Sequence, residues 1–152
     1  MDKLVLFNNA IRNKLLNKRS GESKFGQHVQ TLTSISNIYE QLKDLDVTYV
    51  ILGLPEDVGV FANHGITGTY KAWNSTLQVL LNIQSNTFTK PNQVLILGHL
   101  YFSEEMIQID KLNPSKKKYN VKSIALVEQI DTNLNHLIYQ RVLAGKKQII
   151  IG

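Results

Sequence analysis

Cysteine is absent from the chain, which excludes a disulfide framework, thiolate metal centres and cysteine nucleophiles. A reducing compartment is the natural setting for such a composition. Charge is also sparse, at 19% of residues against 43% hydrophobic, and that balance excludes a disordered chain. Long apolar runs are missing as well. The opening Met1-Asp2-Lys3-Leu4-Val5-Leu6-Phe7-Asn8-Asn9 holds four apolar residues before two asparagines, too few for a signal peptide. No stretch approaches the ~18 apolar residues of a membrane span. The expectation is a cytoplasmic, soluble protein with no membrane partner.

What remains is enough for one domain. A globule of 152 residues hides roughly 68–70% of the surface its unfolded chain exposes, so a sizeable core is available. The net charge is +5 and the pI near 9.4. Part of the excess sits in Arg12, Lys14, Lys18 and Arg19, and part in the run Lys116-Lys117-Lys118. Single-stranded nucleic-acid binding asks for basic side chains interleaved with aromatics, and only Tyr119 lies near the lysine run. The run reads as a solvated loop, and no nucleic-acid partner is expected.

Three short apolar runs stand out: Val47-Thr48-Tyr49-Val50-Ile51-Leu52, Val94-Leu95-Ile96-Leu97 and Ile149-Ile150-Ile151. Each is followed directly by a glycine, Gly53, Gly98 or Gly152. Continuous apolarity of this kind marks strands covered on both faces, as in a parallel sheet. Between them the period turns helical. Ile35, Ile38, Leu42 and Leu45 recur at three and four, with Thr33 or Ser34 as cap. Tyr70, Trp73, Leu77, Leu80 and Leu81 form a second helix with Trp73, Tyr70 and Leu77 in the core. Ile124, Val127, Ile130, Leu134, Leu137 and Ile138 form a third, ending near Gly145. The predicted fold class is α/β: an open parallel sheet of about three strands with helices on both faces. Residues 47–152 make its βαβαβ core and residues 1–46 an N-terminal helical extension. The polar stretch from Asn17 to Gln27 and the stretch from Phe102 to Asn120 read as surface loops, the second with a helical turn around Glu104 to Ile109.

Open parallel sheets bind ligands outside the carboxyl ends of their strands. The segment after the first strand, from Gly53 to Thr69, is a long glycine-rich loop, and loops of that length are usually functional. It offers Asp57, Asn63, His64 and Gly65 as candidates for contacting a substrate, with Asn63 and His64 at the site mouth. Glu56 and Asp57 read as caps or acceptors for backbone amides ahead of acid–base catalysts. His99, at the end of the second strand, is a weaker candidate and reads first as a packing or hydrogen-bonded histidine. Asp57, His64 and His99 share the carboxyl edge, yet their spacing matches no metal motif. The G-x-G-x-x-G dinucleotide spacing is absent too.

The ordered segments Val50-Ile51-Leu52-Gly53-Leu54-Pro55-Glu56-Asp57-Val58-Gly59, Asn63-His64-Gly65, Gly68 and Lys71-Ala72-Trp73 resemble the opening βα unit of the ureohydrolase family, the arginases, agmatinases and formimidoylglutamases. Ala144-Gly145-Lys146-Lys147-Gln148-Ile149-Ile150-Ile151-Gly152 is similar to the strand leading into that family's Gly-Gly-x-His loop. Leu97-Gly98-His99-Leu100 adds a likeness to formimidoylglutamase-like members, although Tyr101 stands where relatives are expected to carry an aspartate. The resemblance spans about residues 47–152. It implies an arginase-like fold and, in complete enzymes, two manganese ions that generate a nucleophile for hydrolysis of a guanidino or formimino C–N bond in a small amino-acid derivative. It also implies a homo-oligomer. The metal-ligand motifs of the family are absent, so this chain reads as an inactive N-terminal portion that by itself holds no metal and has no catalytic residue. The rival expectations are a non-catalytic α/β binding or oligomerisation module, and a nucleotide- or phosphate-binding domain using the amides near Thr69.

Overall fold

The computed structural model describes residues 3–113, 118–143 and 145–152. The expected solvated lysine run lies outside them, apart from the backbone of Lys118, where a helix begins. In chain order the elements are β1 (Leu4–Leu6), α1 (Asn9–Leu15), α2 (Ile38–Asp44), β2 (Tyr49–Gly53), α3 (Val58–Ala62), α4 (Ala72–Leu80), β3 (Val94–Leu100), α5 (Ser103–Asp110), α6 (Lys118–Leu143) and β4 (Lys147–Ile151). Among the described residues, no helix is long and apolar enough to cross a membrane.

The architecture is α/β, and the sheet has four strands in the order β1-β3-β2-β4. β2 is the central partner of β3 and β4 and runs parallel to both, which aligns Gly53 with His99 on one side and with Ile151 on the other. The expected three strands are therefore present and parallel. The fourth is a correction: β1 adds to the far edge of β3 antiparallel, making the sheet mixed. Three residues with one exposed side chain between two inward ones give too little pattern to read as a strand, so the expected N-terminal helical extension contains a strand that its sequence does not announce. Lys3 fastens this edge. Its Nζ lies 2.6 and 2.9 Å from the two carboxylate oxygens of Glu105 in α5, and the Gln129 amide of α6 donates to the same carboxylate at 2.8 Å.

Alternation along the central strands sorts the helices into two layers. Val50, Leu52, Leu95 and Leu97 face one core with Ile38 and Leu42 of α2, Val58 of α3, Ile109 of α5, and Leu126, Ile130 and Leu137 of α6. Ile51, Val94 and Ile96 face the other, closed by Trp73 and Leu77 of α4, Leu81, Phe25 and Val29, with α1 packed against it. Several expectations are corrected at this level. β4 is an edge strand, and Ile149 and Ile150 are more than 40% exposed instead of being covered on both faces. Tyr70 and Ile124, placed on core faces by their spacing, point outward. Neither Thr33 nor Ser34 caps α2: Asn37 does, in the left-handed region without a side-chain bond. The Asn17–Gln27 stretch is not wholly a surface loop, because Phe25 and Gly26 are buried in a short 3₁₀ turn.

Candidate functional site

The carboxyl ends of β2, β3 and β4 meet at one edge, and the segment after β2 forms its largest feature. It is not a plain loop. α3 occupies Val58–Ala62 and a 3₁₀ turn occupies Thr69–Lys71. The Glu56 carboxylate starts α3 by accepting from the amide of Gly59 at 3.0 Å. Asp57 closes the segment on itself. Its carboxylate accepts from the Gly68 amide at 3.0 and 3.1 Å, from the Thr69 hydroxyl at 2.6 Å and from the Tyr70 amide at 3.2 Å. With only 3% of its surface exposed, Asp57 is held by burial, which pushes its carboxyl up. The Thr69 hydroxyl and the amides of Gly68, Tyr70 and Thr69 more than reverse that push and leave it below the usual aspartate value.

Asp57 is thus an ionised clasp, and its oxygens are already engaged. Because its folded-state pKa lies below the unfolded value of ~3.9, the clasp contributes stability above that pH and loses it as pH falls through the folded value. Replacing Asp57 by Asn is expected to lower stability at pH 7 by about 1–3 kcal/mol. The deficit should shrink as pH falls below about 4, where Asp57 takes up a proton first in the unfolded chain and, at lower pH, in the folded one. Urea unfolding of both proteins at pH 7 and pH 3 checks this, and a deficit that is absent at pH 7 or undiminished in acid would overturn the clasp.

α3 ends in a reversal that accounts for the next three candidates. The amide of His64 donates to the Phe61 carbonyl at 3.0 Å and that of Gly65 to the Val60 carbonyl at 2.8 Å, the two bonds of a Schellman cap. His64 takes the left-handed position, φ 55°, which glycine or asparagine usually fills. Its exposed ring stacks on Tyr119 of α6, centroids 5.3 Å apart, and the Tyr119 hydroxyl donates to the Phe61 carbonyl. The Asn63 amide group donates back to Gly59 at 3.1 Å.

His99 is in another environment. The pairing of β3 with β2 slips by one residue between Ile51 and Leu52, so that Leu52 faces Gly98 and Gly53 faces His99. Gly98 takes φ 135°. The slip reverses the alternation. Simple continuation from Leu95 and Leu97 would send His99 to the α6 layer. Instead its ring meets Trp73 of α4 at 6.2 Å between centroids, and Leu100 turns into the α6 layer. Burial lowers the His99 pKa from its ordinary value, so the ring is neutral at pH 7.

The candidates therefore do not converge. Asp57 is bound to its own segment, His64 lies on the α6 layer and His99 on the α4 layer. Among the described residues no group of three or more His, Asp or Glu could hold a metal ion. Thr69, Tyr119 and Gly98 were not foreseen in these roles. Only Gly98 carried a signal, since a glycine inside an apolar strand pattern marks a bulge. No family model, curated protein or solved structure matches the chain.

Proposed function

We propose that the chain is the N-terminal portion of a cytoplasmic, ureohydrolase-like α/β hydrolase acting on a guanidino or formimino C–N bond of a small amino-acid derivative. One observation supports this reading above the rest: the three resembling segments end side by side, with Gly53 registered between His99 and Ile151 at the carboxyl edge of parallel strands. In this reading β2, β3 and β4 are scaffold, and the Asp57-clasped segment shapes the mouth of the site. The described residues do not fit the two manganese ions of complete ureohydrolases, because no such donor group is assembled and the Asp57 oxygens are engaged by Gly68, Thr69 and Tyr70. No step through a metal is assigned to this chain.

A second reading has its own observation in favour. The outer edge of β4 is unpaired among the described residues and carries the exposed Ile149 and Ile150, which suits a module that completes its sheet with another chain. The gene separates the two. Ureohydrolase-like coding sequence should continue past Gly152 with glycine and, two residues later, histidine. The isolated chain with manganese and arginine, agmatine or formiminoglutamate should release neither urea nor formamide. A stop codon at that point, with a monodisperse oligomer in light scattering, overturns the first reading in favour of the second. Turnover by the isolated chain overturns the assignment of the chemistry to residues outside it.

A further inference from the structure

The two helical layers divide the charge unevenly. The segment from Arg12 to Lys24 carries five cations, Arg12, Lys14, Lys18, Arg19 and Lys24, against one acid, Glu22, and so supplies +4 of the chain's net +5. From Val58 to Ser103, a stretch that includes α4 and the residues after it, there is no acidic side chain at all. Hydrogen bonds lay the first segment along the second. The Asn17 amide donates to the Asn82 side-chain oxygen at 2.8 Å, the Ser85 amide to the Ser23 carbonyl at 2.7 Å and the Phe25 amide to the Ile83 carbonyl at 2.8 Å. Glu22 is engaged locally, 2.5 Å from the Lys24 Nζ and 3.9 Å from Arg19. Lys14, Lys18 and Arg19 are exposed.

Beside these cations the layer shows apolar side chains to solvent. Val79 is 67% exposed, Ile83 44% and Phe88 91%. Phe88 stands at the tip of a turn that fixes it there: its amide donates to the Asn86 side-chain oxygen at 2.9 Å, and the Thr89 hydroxyl donates to the Asn86 carbonyl at 3.0 Å. No charge of either sign occurs between Lys71 and Lys90. The apolar part of the face is therefore uncharged, and the segment laid against it is cationic.

We propose that this outer face of the α1 and α4 layer docks on an anionic lipid bilayer, with Phe88, Val79 and Ile83 entering the headgroup region and Lys14, Lys18, Arg19 and Lys90 against the lipid charges. The composition of the face chooses a lipid surface over other polyanions. A nucleic acid calls for cations and base-stacking aromatics, and the aliphatic Val79 and Ile83 serve neither need. Protein interfaces are poor in lysine, whereas lysine beside projecting aromatic and aliphatic side chains is the make-up of an interfacial anchor. The lack of a spanning helix bears on crossing a bilayer and leaves a surface contact open. This assignment rests on charge and exposure alone and holds under either reading of the function.

Co-sedimentation with vesicles tests it, using phosphatidylcholine alone and with about 30% phosphatidylserine. The chain should bind the phosphatidylserine vesicles at least tenfold more tightly, and the difference should shrink as salt rises from about 0.1 M to about 0.5 M. Each cation at an anionic surface strengthens binding roughly fivefold, so Lys18→Glu with Arg19→Glu should weaken it at least tenfold. Lys43→Glu with Lys122→Glu makes the same charge change at exposed sites on the α6 layer and should weaken it less than threefold. Phe88→Ser should weaken it at least threefold, and Phe88→Trp should add an emission that shifts to the blue with the phosphatidylserine vesicles. No preference for phosphatidylserine, equal losses in the two charge-reversed pairs, or wild-type binding by Phe88→Ser would each overturn the proposal. Tighter binding of a single-stranded oligonucleotide than of the vesicles, unaffected by Phe88→Ser, would overturn it in favour of nucleic acid.

Discussion

Gly98→Ala is expected to be the most damaging glycine-to-alanine change among the described residues, costing about 4 kcal/mol or more, a large share of the ~5–15 kcal/mol that holds a domain of this size. Two separate penalties combine. At φ 135° an L-residue is strained by about 1–3 kcal/mol. A Cβ there would also fall well inside van der Waals contact with the Val5 carbonyl oxygen and within 2.9 Å of the Leu6 Cα and the Phe7 amide nitrogen, all backbone atoms of the strand paired with it. The obstacle is main chain, so no rotamer change relieves it, and β1 must lift away from β3. Gly68 is the control. Its φ is 138°, yet a Cβ there meets nothing within 4 Å, so Gly68→Ala carries the conformational strain without the collision. Urea unfolding should show Gly98→Ala losing at least 2 kcal/mol more than Gly68→Ala, with the β1 amides the first to lose hydrogen-exchange protection. Equal losses in the two variants would mean that β1 does not press on Gly98.

That contact was invisible in the sequence for a definite reason. Continuous apolarity located β2 and β3 because burial between two helical layers leaves a local trace, it located β4 although Ile149 and Ile150 are exposed at the sheet edge, and the helical spacing of Trp73 and Leu77 located α4. Both are patterns within one segment. The antiparallel return of Leu4–Leu6 and the Lys3–Glu105 pair, 102 residues apart, belong to pairings between segments, and nothing in either segment announces them; at Gly98 the glycine itself signals a bulge but not the strand that presses on it. The same divide runs through the site. That Asp57 would bind amides was legible from its place after a strand. That the amides would be those of Gly68 and Tyr70, across α3 and a cap headed by His64, was not, because five residues of helix hidden in a glycine-rich stretch set the closure. Ile124 and Tyr70 failed the other way: Tyr70 lies in the 3₁₀ turn ahead of α4 and Ile124 early in α6, and both are exposed although Trp73, Leu77, Ile130 and Leu137, which share their spacing, are buried.

Gly53→Ala is expected to lose about 3 kcal/mol, and here the obstacle is a side chain, which makes the cause separable. A Cβ on Gly53 would collide with the Trp73 ring, lying 2.7 Å from Cε3 and 2.8 Å from Cε2. The indole is 3% exposed and wedged among Ile51, Leu77 and Ile96, so it has little room to withdraw, and overpacking of this kind costs about 1–3 kcal/mol or somewhat more. Trp73→Leu alone should lose about 2–4 kcal/mol through the cavity it opens. In the double variant the new methyl enters that cavity, so the combined loss should fall short of the sum by more than about 1 kcal/mol. Additivity within about 0.5 kcal/mol would show that the indole does not occupy the place of the missing Cβ. His99 gives the cycle a second reading. Its ring rests on the same indole, so in Gly53→Ala the displaced Trp73 must press toward it, and the His99 nitrogen resonances should move. They should return toward their wild-type positions in the double variant. Resonances that stay fixed through the whole cycle would separate His99 from Trp73 and remove the wall against which the imidazole is held.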